Sequence, residues 1–224
     1  MVHTQDQIEG WGVLTVANPE FSGVEIYKHL KSIGVKSMDF LYPDYHYDNI
    51  PNWKPGSIAR YYIEIFDQWY QDADESFTIR WFNSVLTSLL IGGTKMASIG
   101  LEPLTDVIIE TDGSLEPYDA LRTITNGITR VGLNIMEHSI EDLYETELFQ
   151  MCLHHKTLLA EKCKSCPIVS ICGGGSIVNR WSKENGFNNP SVYCDELMEV
   201  IMHIRNKVIN ELDNHSIKYE FASS

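Results

Sequence analysis

Four cysteines near the C-terminus constrain this chain more than any other feature. They stand in the run Cys163-Lys164-Ser165-Cys166-Pro167-Ile168-Val169-Ser170-Ile171-Cys172, followed by Gly173-Gly174-Gly175 and later by Tyr193-Cys194. Two residues separate the first pair, and five separate Cys166 from Cys172. Thiolates gathered this way repel one another, so a cation is needed to keep them ionised and together. Whatever fold the chain adopts must bring these four positions to one place. The fifth cysteine, Cys152, lies outside the pattern, in Gln150-Met151-Cys152-Leu153-His154-His155. It reads as a buried core thiol, with both histidines solvated.

The 224 residues can form one large domain or two modest ones. Five cysteines, an odd number with four in a metal spacing, argue for the reducing cytoplasm over a disulfide framework. The start Met1-Val2-His3-Thr4-Gln5-Asp6-Gln7 lacks the basic and apolar regions of a signal peptide. No apolar run approaches the ~18 residues of a membrane span. A formal net charge of −14 disfavours a nucleic-acid backbone as partner and tolerates a neutral or basic peptide better. The expectation is a cytoplasmic protein with neither nucleic acid nor membrane as partner.

Gly12 to Ala17 reads as a buried strand. Ser22 and Glu25 then have capping-box spacing ahead of a helix with Ile26, Leu30 and Ile33 on one face and Gly34 as its stop. Lys36 to Tyr42 is a second strand, so a βαβ unit with parallel strands is expected. A loop rich in aromatics, Pro and Asn runs from Tyr42 to Gly56. Helices are expected from Ile58 to Tyr70 and from Phe82 to Leu90, the first packing its aromatics into a core. Val107 to Thr111, the turn Asp112-Gly113 and Leu115 to Tyr118 predict a β-hairpin. Residues 139–160 read as helical. A last helix is expected from Pro190, with Leu197, Val200, Ile201, Ile204 and Val208 on its apolar face. A boundary near residues 95–105 divides an α/β piece from a cysteine-bearing module.

Zinc is the generic holder of four cysteines, and its structural sites usually come as two paired knuckles. One pair followed by two separate cysteines suits a larger [4Fe–4S] cluster better. The three glycines let the backbone pass close to an inorganic core and aim N–H groups at sulfur. Cys194, in the first turn of the last helix, gains from the positive dipole end. Spacing alone favours the cluster and leaves zinc open.

From Val107 to about Ile204 the chain resembles the SPASM domain, the C-terminal extension of radical S-adenosylmethionine (SAM) enzymes that modify peptides and proteins. That pattern opens with a Cys, then a Gly nine to fifteen residues later and a Cys after four more. It continues as Cys-x2-Cys-x5-Cys-x3-Cys and ends in a final Cys. Cys163, Cys166, Cys172 and Cys194 match the ligands of the second auxiliary cluster. Gly113 matches the glycine, but Tyr118 and Ser176 stand at two positions of the other cluster, and no Cys lies between Ala97 and Pro103 to open the pattern. All three losses fall on one cluster.

The N-terminal half is similar to the later part of the partial (βα)6 barrel of the same enzymes. The resemblance implies an α/β chain: residues 1–100 as the last βα units of such a barrel, and 101–224 as a small α+β SPASM-like module. It implies one auxiliary [4Fe–4S] cluster on Cys163, Cys166, Cys172 and Cys194, and a ribosomally made precursor peptide as substrate, with crosslinking as the modification. The Cys-x3-Cys-x2-Cys loop that holds the SAM-cleaving cluster does not occur in the sequence. SAM and that cluster therefore enter only with an N-terminal half, and the chain reads as a fragment, a split subunit or a pseudoenzyme. The alternative is a non-catalytic module that holds zinc or an iron–sulfur cluster and binds a peptide or partner protein. Asp119 and Arg122 are candidate peptide contacts, and Arg80 and Trp81 are open. Asp112 reads as a turn residue.

Overall fold

The computed structural model describes residues 11–94 and 96–215. The chain start that argued against a signal peptide lies outside them. The fold is mixed α/β, and its chain divides into two compact units. One takes the chain up to Pro43, Asn52–Gly92 and the stretch from Asp195; the other takes Asp44–Pro51 and Gly93–Cys194.

In the first unit, β1 (Val13–Val16), α1 (Gly23–Ser32) and β2 (Ser37–Leu41) form the expected βαβ unit, but β1 is not the buried strand expected, since Leu14 and Val16 are exposed on one face. The strands are parallel, with Val13 opposite Met38 and Val16 opposite Leu41. The Ser22 hydroxyl caps α1 by accepting the Glu25 N–H at 3.3 Å. The buried face of α1 differs from the expected one: Gly23 and Tyr27 are buried, while Ile33 is 47% exposed. Gly23 explains the rotation. A Cβ there would lie 2.5 Å from Ile65 Cδ1, so the neighbouring helix crosses directly over the glycine.

That helix, α2 (Ser57–Asp72), buries Ile58, Tyr61, Tyr62, Ile65 and Phe66 as its spacing predicts. The Tyr62 ring stacks on Tyr42 at 4.3 Å. A third parallel strand, β3 (Thr78–Ile79), pairs with β2 and escaped prediction because it is only two residues long. α3 (Arg80–Leu90) follows at once, and its N-cap residue, Ile79, offers no side-chain acceptor. Asp39 on β2 supplies it instead, accepting from Trp81 N at 3.0 Å and Arg80 Nε at 2.8 Å. Arg80 and Trp81 thus have a structural explanation. The last helix, α8, spans Cys194–Asn214 and buries the five expected residues. It starts at Cys194, after a turn in which the Ser191 carbonyl accepts the Cys194 N–H.

In the second unit, β4 (Val107–Ile109) and β5 (Ser114–Pro117) make the expected antiparallel hairpin. Gly113 takes φ +82° in its turn, and the Asp112 side chain accepts the Ser114 N–H at 2.9 Å. A third short strand, β6 (Leu133–Asn134), pairs with β5. The expected helix over 139–160 is broken into α4 (Ile140–Tyr144), α5 (Glu147–Leu153) and a 3-10 turn at His155–Leu158. Two caps cause the break. Ser139 forms a capping box with Asp142, and the Thr146 hydroxyl accepts the Phe149 N–H, starting a new helix. Two further single-turn helices, α6 (Glu161–Lys164) and α7 (Val169–Cys172), carry cysteines. Residues 44–51 join this unit through Asn179 Nδ2 to the Tyr45 carbonyl at 2.8 Å and Tyr47 Oη to the Pro190 carbonyl at 3.0 Å. No helix among the described residues is long and apolar enough to cross a membrane.

Candidate metal centre

The four patterned cysteines all belong to the second unit, and none forms a disulfide among the described residues. Cys163 sits on α6, Cys166 in the turn that follows, Cys172 at the end of α7, and Cys194 at the first position of α8. Cys163 packs with Leu159 and Ala160 in an apolar cluster flanked by Leu101 and Val169. Cys172 is also buried, whereas Cys166 and Cys194 are half-buried. The thiols influence one another's ionisation: Cys163 feels Cys194 and Cys166, and Cys172 feels Cys194 and Cys163. Burial pushes the Cys172 thiol up to about 12 and raises Cys163, so without a cation these groups hold their protons.

The glycine run shapes the centre. Gly173, Gly174 and Gly175 all have positive φ. The Gly175 N–H donates to the Cys172 carbonyl at 2.9 Å, and the Gly174 and Gly175 amides favour the Cys172 thiolate. Gly173 has no alternative: a Cβ there would stand 1.7 Å from the Gly100 carbonyl oxygen. Among the described residues, no three His, Cys, Asp or Glu side chains form a group that could hold a metal ion. The thiols are electrostatic neighbours without closing on a single ion. A tetrahedron around zinc, at Zn–S of about 2.3 Å, would bring its sulfurs roughly 3.8 Å apart.

One residue beside this centre was missed from the sequence. Arg180 is completely buried. Its Nη1 would lie 3.6 Å from a Cβ on Gly174, and its Nη2 lies 3.3 Å from His155 Nδ1. Among the described residues it forms no ion pair with a carboxylate, and its Nε has no hydrogen-bond partner. The groups whose charge would reach it are Cys163 and Cys172, once a bound cation has ionised them. The signal available in the sequence was a cation inside the apolar run Ile177-Val178-Asn179-Arg180-Trp181.

His154 is exposed as expected, but His155 is buried and corrects the solvated reading. Its Nε2 lies 2.8 Å from the Glu102 carbonyl. With Nε2–H donating there, Nδ1 accepts from Arg180, and burial lowers the pKa of the ring. Cys152 is a core thiol as expected, packed with Leu104, Leu121, Ile177 and Val178.

Tyr118 and Ser176 belong to the same unit: Tyr118 packs on the Cys152 cluster together with Ala97, and Ser176 is buried with its Oγ lacking a hydrogen-bond partner. Desolvation pushes the Tyr118 phenol up to about 12. Arg122 is held by the buried Glu116 at 2.7 Å and by Glu110, which makes it a clamp on the hairpin. Asp119 opens a 3-10 turn and is exposed.

No family model matches the chain. It is 26% identical over 197 residues to a cysteine-type anaerobic sulfatase-maturating enzyme of Clostridium perfringens, covering 85% of this chain and 52% of the relative. A relative with the same description from Clostridium novyi is 24% identical over 195 residues, 83% of this chain and 51% of the other. The fold superposes on solved structures of anSMEcpe. The hexahistidine-tagged protein with bound AdoMet gives a TM-score of 0.73 at 25% identity, over 91% of this chain and 55% of that one. The chain is a homologue of anaerobic sulfatase-maturating enzymes. Native anSMEcpe with bound AdoMet and the Cp18Cys peptide gives the same TM-score and identity, over 91% of this chain and 58% of that one. This homologue spans about half the length of the curated relatives it matches.

Proposed function

We propose that the chain is the C-terminal, cluster-bearing portion of a radical SAM/SPASM enzyme that modifies a ribosomally made peptide in the reducing cytoplasm. Cys163, Cys166, Cys172 and Cys194 would hold one auxiliary [4Fe–4S] cluster. The observation that carries this reading is the meeting of two patterns in one unit. The four thiols of one ligand set lie within electrostatic reach of one another, while Tyr118, at a position of the other set, packs on the Cys152 cluster and Ser176 is buried in the same unit.

The residues fit such a cluster. A four-thiolate cluster is anionic, and the buried Arg180, with no carboxylate in an ion pair among the described residues, needs an anionic neighbour. When bound, the cluster would supply one-electron chemistry and folding energy. The buried Cys163 and Cys172 would hold part of it away from water, and Arg180 would face its charge. The peptide-bound structure of the relative supports a peptide substrate, and crosslinking is the modification the sequence resemblance implies.

Residues 1–100 are read as the last βα units of the barrel and 101–224 as the SPASM-like module. Among the described residues of the first unit, β1 is an outer strand of a three-stranded parallel sheet, and Leu14, 64% exposed, and Val16, 59% exposed, leave one face of it uncovered. Parallel sheets are normally covered on both faces, so this face suits a preceding βα unit. An N-terminal half with Cys-x3-Cys-x2-Cys would supply that unit together with SAM cleavage.

The test is to find such a segment in the native gene or its neighbours and mix the two polypeptides anaerobically with SAM and dithionite. 5′-Deoxyadenosine from the mixture and none from this chain alone is the expected outcome. Absence of any such segment, or complete inactivity of a mixture in which both parts carry iron, would leave the non-catalytic metal-binding module as the better account.

A further inference from the structure

Arg180 has no part in the ligand set, and its environment is costly. A guanidinium removed from water without a compensating charge is strongly destabilising. Here the side chain is fully buried, its Nε lacks an acceptor, and no carboxylate among the described residues forms an ion pair with it. It lies against Gly174, two residues from Cys172, with Nη1 3.6 Å from where a Gly174 Cβ would stand. Two contacts fix it from the other side: Nη1 reaches the His155 carbonyl at 3.4 Å, and Nη2 lies 3.3 Å from His155 Nδ1. His155 is itself anchored on the Glu102 carbonyl. A chain of three groups, Glu102 carbonyl, His155 ring and Arg180 guanidinium, therefore ends beside the cysteines.

We propose that Arg180 is the counter-charge of the cysteine centre and makes whatever it holds easier to reduce, with His155 as the residue that positions it. The inference rests on the iron–sulfur reading above. The step is the addition of one electron from a low-potential donor; no bond forms or breaks, and the centre gains one negative charge. A fixed positive charge in a water-poor site stabilises the more negative state, and solvent screens it little.

The test is an anaerobic redox titration of the reconstituted full chain, with dithionite as donor and electron paramagnetic resonance as readout, after iron and sulfide have been counted. R180Q should keep its iron and lower the one-electron reduction equilibrium constant about tenfold or more, a potential at least about 59 mV more negative. R180K should recover most of that loss, because it restores charge without restoring the fork. A fully loaded R180Q with an unchanged potential would overturn the inference and leave the cluster reading intact. Should R180Q fail to hold iron, H155F is read instead: it keeps a ring but no acceptor, and at least a threefold drop is expected. An unchanged H155F potential would overturn the proposal. Zinc without iron in the wild type would overturn the cluster reading, a result that metal content alone distinguishes.

Discussion

Gly173 shows how far a single residue controls the cysteine loop. Its φ is +61°, and an added Cβ would overlap the Gly100 carbonyl oxygen, which is backbone and cannot rotate away. Gly173→Ala should therefore destabilise the chain by more than about 4 kcal/mol and abolish iron uptake, whereas Gly34→Ala, with open space around its Cβ position, should cost far less. Thermal unfolding followed by iron analysis compares the two. Asp39 gives a pH signature. Burial raises its carboxyl above the usual range despite the bonds from Arg80 and Trp81. The folded state then binds more protons than the unfolded one between the unfolded value, about 4, and the raised folded value. Its contribution is complete below that window and is lost as pH rises through it. D39N, which keeps an acceptor for the Trp81 N–H, should lack this fall in stability. D39A should cost about 1–3 kcal/mol at all pH values by leaving that N–H without a partner. Chemical denaturation between about pH 4 and 8 separates the three proteins.

At the scale of elements, legibility followed length and periodicity. α2, α3 and α8 were readable because their apolar residues recur at helical spacing, and α8 buries the very set its sequence marks. The Asp112-Gly113 turn announced the hairpin through the φ > 0 that Gly113 supplies. β3 and β6 carried no signal, since two residues show no alternation. The break between α4 and α5 was available in Ser139 and Thr146, whose hydroxyls cap new helices, but the apolar residues of the segment masked it. β1 carries its own prediction. Leu14→Lys with Val16→Lys should leave the melting temperature of this chain within a few degrees of wild type, since both side chains are exposed. The same pair should abolish 5′-deoxyadenosine formation with an N-terminal half. Full activity in that mixture would exclude this face of β1 as a docking surface.

For the whole molecule, the ligand candidates were legible in the sequence but their surroundings were not. Cysteine spacing is local in the chain, so Cys163, Cys166, Cys172 and Cys194 could be singled out directly. Arg180 and His155 act through contacts made only on folding: the guanidinium meets an imidazole 25 residues away in the sequence. The packing of Tyr118 on the Cys152 cluster is likewise tertiary. Similarity to enzymes of about twice this length supports the proposal that the chain works as part of a larger catalytic assembly. The central claim is that these four thiols hold a [4Fe–4S] cluster. Anaerobic isolation with iron, sulfide and zinc analysis tests it most directly: about four irons and four sulfides per chain, lost in Cys166→Ala, is the result expected. One zinc per chain with no iron would contradict it.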